Sequence, residues 1–145
     1  MPTLLFLDVT GVLLCGRCTP DRSCGHLQHL RQIVDTLGCR IVLTSTFRFD
    51  AKAKATLRTQ FAQHGIPAWI GTTPDLPGER WTEIRQWVED HDARHHRLVI
   101  IDDGEDADLT THEPGTYDCH FFLADFHRGL DETLAAAVLG LAENG

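Results

Sequence analysis

No apolar run in this sequence approaches the roughly 18–20 residues that a membrane-spanning helix needs. No secretory leader is expected either. The segment Met1 to Asp8 carries no basic residue, and its short apolar stretch runs straight into an acid. These absences predict no membrane partner and a cytoplasmic location. Bases are scarce: 13 against 21 acids, a formal net charge of −8. That balance opposes a general nucleic-acid or anionic-membrane surface, although a local basic pocket stays open. Lysine is nearly absent, since eleven of the 13 bases are arginine, the better fork for planar oxyanions. The five cysteines are an odd number, and without a leader they predict thiols or a metal site over disulfides. Repeats, linkers and low-complexity tracts are lacking too. The 145 residues have room for one core, so one domain is expected over 1–145. With 42% apolar and 23% charged residues, the chain should fold.

What is present is an alternation of strand and helix patterns. Leu4 to Leu7, Arg40 to Leu43 and Leu98 to Ile101 hold short continuous apolar runs, the pattern of strands buried on both faces. Pro67 to Ile70 reads as a weaker strand, and His120 to Leu123 as an edge strand. Between them lie helical stripes. Leu27, Leu30, Ile33, Val34 and Leu37 mark a helix within Gly25–Gly38. Asp50 can cap a helix from Ala51 to His64, with Leu57 and Phe61 inward. Trp81, Ile84, Trp87 and Val88 mark a helix from about Glu79 to His91, and Leu130, Leu134, Val138 and Leu141 a closing one. Gly71–Gly78 and Gly104–Thr116 read as polar loops. This order predicts an α/β fold, a three-layer α/β/α sandwich with about five mostly parallel strands. The first strand should be central, between the second and the fourth.

Ligands of such sheets sit beyond the carboxyl ends of the strands. The first strand is followed by Asp8-Val9-Thr10-Gly11, the second by Thr44-Ser45-Thr46, the fourth by Asp102-Asp103-Gly104. Carboxylates and hydroxyls therefore gather at one rim, each directly after an apolar run.

Those residues resemble the haloacid dehalogenase (HAD) superfamily of phosphotransferases. Its first motif, an apolar strand followed by Asp-x-Asp-Gly-Thr/Val, stands here as Phe6-Leu7-Asp8-Val9-Thr10-Gly11-Val12. Its second motif, a strand ending in Thr or Ser, is similar to Ile41-Val42-Leu43-Thr44-Ser45, and its fourth to Ile100-Ile101-Asp102-Asp103. Arg80 has the spacing of its third, a lone Lys or Arg. Within the superfamily the chain is most similar to the small HAD domain of Swiss Army Knife RNA repair-type proteins, through Thr44 to Arg48, Arg80 to Ile84 with Trp87, Asp102-Asp103 and Gly129-Leu130. The resemblance implies a Mg²⁺-dependent phosphohydrolase or phosphotransferase. Asp8 would be the nucleophile. Mg²⁺ would lie on Asp8, the Thr10 backbone carbonyl and the Asp102/Asp103 pair, with Asp103 the direct ligand. Thr44, Ser45, Arg80 and Arg48 would hold phosphate. One residue departs from the pattern: Thr10 replaces the second carboxylate, which protonates the leaving oxygen in HAD phosphatases. A hydroxyl has no carboxyl pKa and cannot take that role near neutral pH. Branches with Thr there, the P-type ion pumps among them, keep a persistent aspartyl phosphate. Slow hydrolysis is expected, and a non-hydrolytic phosphate-binding or regulatory module is the alternative.

Each of these residues also has an ordinary structural reading. Asp8 could cap a turn, Asp102 and Asp103 could be solvated loop acids, and Arg80 and Arg48 could be surface cations or partners of acids. Asp108 reads either as a water-bridged second acid or as loop. Cys15, Cys18, Cys24 and His26 lie within twelve residues and offer four S/N ligands for a structural Zn²⁺, or are unrelated thiols and a surface histidine. The cluster His91, His95 and His96 is read as a helix end, where cations favour the dipole. About ten residues separate Leu14 from the first helix, which leaves no room for a large cap domain. An open site suits a bulky phosphorylated substrate: a nucleotide, a nucleic-acid end or a phosphoprotein.

Overall fold

A computed structural model describes residues 2–14, 25–44 and 50–143 of the chain. Five strands form one parallel sheet: β1 (Thr3–Leu7), β2 (Arg40–Leu43), β3 (Gly71–Thr72), β4 (Arg97–Asp102) and β5 (Cys119–Leu123). Their order is β3-β2-β1-β4-β5, so β1 is central, as its wholly apolar run predicts. Leu7 stands opposite Leu43 on one side and Ile101 on the other. That register brings Asp8, Thr44 and Asp102 to one rim.

The period of two along each strand divides the core. Leu5, Leu7, Ile41, Leu43, Val99 and Ile101 point to one face. There they meet α1 (His26–Leu37), α2 (Ala51–Gln63) and α5 (Glu132–Leu139) through Leu30, Ile33, Leu57, Phe61 and Val138. Leu4, Phe6, Val42, Leu98 and Ile100 point to the other face, against Ile84, Trp87 and Val88 of α3 (Arg80–Asp90). This is the expected three-layer α/β arrangement, with all five strands parallel. Gly38 ends α1 in a left-handed conformation (φ +63°) that side chains disfavour. Asp50 caps α2 by accepting from the Ala53 N–H at 3.0 Å. No helix among the described residues is long and apolar enough to cross a membrane.

Two local expectations need correction. The strand expected at Pro67 to Ile70 lies at Gly71–Thr72, inside the expected loop. Pro67 has no N–H to pair. Trp69 packs edge-on against Phe61 (centroids 5.5 Å apart), so its apolar character serves helix packing and not strand pairing. Main-chain contact with β2 starts only where the Ile70 N–H reaches the Ile41 carbonyl at 2.8 Å. The second correction concerns Gly104–Thr116, which holds a 3₁₀ turn at Glu105–Ala107 and the short helix α4 (Leu109–His112). Asp108 caps α4, its carboxylate accepting from the Thr110 and Thr111 N–H groups. Ala107 and Leu109 are fully buried, and two isolated apolar residues among polar neighbours show too little periodicity to mark a helix.

Candidate active site

Asp8 leaves the end of β1 almost completely buried, with 3% of its surface exposed. Its Oδ1 accepts from the Val9 N–H at 2.9 Å. The Val9 carbonyl in turn accepts from the Leu13 N–H at 2.8 Å and the Leu14 N–H at 3.0 Å, which closes a tight turn. Thr10 lies exposed in this turn. Gly11 follows with φ +88°, a conformation that favours glycine. A Cβ there would also collide with the Asp103 carboxylate. Glycine is thus what lets Asp103 lie against the turn that carries Asp8.

Arg80, the first residue of α3, joins the separate pieces. Its Nη1 lies 3.2 Å from Asp8 Oδ1 and 3.0 Å from Asp102 Oδ2. The same nitrogen is 3.4 Å from Thr44 Oγ1, which is fully buried. Asp102, 1% exposed, is engaged at both oxygens, because Oδ1 accepts from the Gly104 N–H at 2.9 Å. Asp103 is less buried and its carboxylate lies against the Asp8 turn.

Among the described residues, Asp8, Asp102 and Asp103 offer carboxylate oxygens within 4.8 Å of one another. Burial pushes the pKa of both Asp8 and Asp102 above the ordinary carboxylate range. The Asp102 charge adds to the rise at Asp8, and Arg80 opposes it at both. Three carboxylates facing one guanidinium have a negative surplus when ionised. A hard dication with oxygen ligands fits that surplus, and the donor set suits Mg²⁺. The arrangement has room for chemistry on an anionic group between a buried carboxylate, a fixed guanidinium and a hydroxyl.

Of the predicted site residues, Asp8, Thr44, Arg80, Asp102 and Asp103 are brought together. Ser45 and Arg48 lie outside the described residues, as do Cys15, Cys18 and Cys24. His26 is not on the surface: it is 4% exposed, with Nδ1 2.8 Å from the Leu130 carbonyl. Its Nε2 is buried and has no hydrogen-bond partner among the described residues. His91 ends α3, with its ring stacked on Trp87 and Nδ1 2.9 Å from the Trp87 carbonyl, which agrees with the helix-end reading. Nothing in the sequence marked Asp106, whose Oδ2 accepts from the Arg80 N–H at 3.0 Å. Only the fold brings these two residues together.

Comparison with known proteins shows the family. A family model described as the HAD domain in Swiss Army Knife RNA repair proteins matches residues 4–135. Neither a curated protein nor a solved structure matches the chain. The matched span holds all of the sheet but its first residue, Thr3, together with the Asp8–Thr44–Arg80–Asp102 cluster, and the chain belongs to this family of HAD domains.

Proposed function

We propose that the chain is a Mg²⁺-dependent phosphohydrolase or phosphotransferase that works through an aspartyl phosphate on Asp8. The observation that carries this reading is the position of Arg80, whose Nη1 touches Asp8, Asp102 and Thr44 at once. A guanidinium held over a buried carboxylate and a strand-end hydroxyl is suited to the equatorial oxygens of a transferring phosphoryl group. Holding Asp8 Oδ1 through the Val9 N–H orients the carboxylate, and Oδ2 is the attacking atom. Attack forms the Oδ2–P bond and breaks the bond from phosphorus to the leaving oxygen. Thr10 cannot deliver a proton to that oxygen, so the step favours leaving groups stable as anions. Water then cleaves the aspartyl phosphate, again without a carboxylate to activate it. Asp8 and Asp103 would hold Mg²⁺, with the Thr10 backbone carbonyl as a third ligand. Both Asp102 oxygens are already engaged, by Arg80 and by Gly104. Mg²⁺ there would supply charge neutralisation at the phosphoryl oxygens and keep Asp8 ionised.

The family description names RNA repair, which favours the phosphorylated end of a nucleic acid over a nucleotide or phosphoprotein. With a net charge of −8, the chain would grip such a substrate at its terminal phosphate and not along its backbone.

Beryllofluoride with Mg²⁺ tests the mechanism. It should form an adduct on Asp8 and raise the melting temperature, because it binds only the native state. Asp8→Asn should abolish both effects, and a wild-type shift in that variant would remove Asp8 from the mechanism.

Zinc is a second and separate reading, supported by the buried Nε2 of His26, which has no hydrogen-bond partner among the described residues. With Nδ1 bonded to the Leu130 carbonyl, the ring would present Nε2 as a ligand beside Cys15, Cys18 and Cys24 in sequence. Elemental analysis of the purified protein should then find about one zinc per chain and much less in His26→Ala. Equal zinc in both proteins, or none in wild type, rejects this reading.

A further inference from the structure

Helix α3 begins without a cap of its own. Glu79, at the cap position, accepts from the Trp81 indole N–H and caps no main-chain N–H of the first turn. The acceptor comes from the other side of the site: Asp106 Oδ2 accepts from the Arg80 N–H at 3.0 Å. Asp106 lies in the 3₁₀ turn directly after the β4 acids, and that turn is anchored by Ala107, fully buried in the same core as Ile84 of α3. Gly104 makes room for this arrangement, because a Cβ there would come within 2.6 Å of Asp106 Oδ1.

Arg80 is therefore tied twice to one loop. Its main-chain N–H goes to Asp106, and its guanidinium to Asp102. A long arginine side chain has several rotatable bonds, and contacts at its tip fix its position only if its base is also held. We propose that Asp106 is a positioning residue for phosphate recognition. It clamps the start of α3 to the loop of Asp102 and Asp103, so that the Arg80 guanidinium stays poised between Asp8, Asp102 and Thr44. The clamp joins the two halves of the site, the phosphate cation and the metal acids, through one exposed carboxylate. Part of this inference, its ligand arm, rests on the phosphoryl-transfer reading; the clamp itself does not.

Two variants separate capping from charge. Asp106→Asn keeps an acceptor that can cap the helix, and Asp106→Ala removes it. The first readout is the Arg80 guanidinium NMR signal in protein without ligand. It should report restricted rotation in wild type and Asp106→Asn, and averaging in Asp106→Ala. The second is the affinity for beryllofluoride with Mg²⁺, which should fall about fivefold to tenfold in Asp106→Ala, the scale of a lost cap, and recover in Asp106→Asn. An unchanged Arg80 signal in folded Asp106→Ala overturns the proposal. So does a signal that averages equally in Asp106→Asn, because charge and not capping would then be at work. If Arg80 averages as expected while wild type binds no beryllofluoride, the clamp stands and the phosphoryl-transfer reading falls.

Discussion

At the scale of single residues, the proposed mechanism turns on Thr10, which lies exposed two positions after the buried Asp8. General acid–base help is typically worth 10²–10⁴-fold, about 3–5 kcal/mol of barrier. Without it, p-nitrophenyl phosphate should turn over slowly and alkyl phosphates far more slowly. Thr10→Asp should raise the rate most for the alkyl substrates, and only while Asp8 is intact. The ratio of aryl to alkyl rates, measured in steady state for both proteins, checks this. No gain on either substrate would leave the phosphate-binding module as the better reading. Residues of the site were legible in unequal measure. Asp8, Thr44 and the Asp102–Asp103 pair stood out because each follows an apolar strand, a local signal. Arg80 showed only a spacing, since an arginine that starts a helix looks the same whether it faces water or a carboxylate. Asp106 showed no signal, because its partner is far along the chain.

At the scale of elements, α3 links core to site. One side of it buries Ile84, Trp87 and Val88, and its first residue is Arg80. Ile84→Ala should cost about 2–5 kcal/mol through a cavity beneath that helix. Leu57→Ala on α2, buried against the opposite face of the sheet, should cost a similar amount. Denaturant unfolding will give the two costs. Beryllofluoride affinity in the folded proteins should fall for Ile84→Ala and stay near wild type for Leu57→Ala, since only α3 carries a site residue. The long periodic elements were readable for the same reason that they are stable: each has a continuous apolar face. The misplaced third strand had no such face. Two paired residues at Gly71–Thr72 are set by the neighbouring β2 and not by their own composition, while Trp69 mimics a strand by packing on Phe61.

At the scale of the whole molecule, the site opposes the stability of the fold that builds it. Asp8 and Asp102 have raised pKa values, chiefly from burial, so the folded chain holds their protons more tightly than the unfolded chain. Stability from these groups is fully present below the ordinary carboxylate pKa of about 4 and is lost as the pH rises towards neutrality. The melting temperature of metal-free protein, less that of Asp8→Asn, should therefore fall over this range. Mg²⁺ should reduce the fall, because a bound dication favours the ionised carboxylates. Thermal scans from pH 4 to 7.5 with EDTA or Mg²⁺ will show it, and a difference that rises with pH would contradict the burial argument.

The central place of β1 also bears on how the protein is made. Its two neighbours are β2, which follows soon in the chain, and β4, which comes much later. At roughly 5–20 residues per second, a ribosome delivers Asp8 about 5 to 20 s before Asp102. During that interval one edge of a strand that is apolar on both faces has no native partner and is open to foreign strands. The nascent chain carries Asp8, and later Thr44 and Arg80, before Asp102 and Asp103 exist, so the cluster around Asp8 stays incomplete until β4 docks.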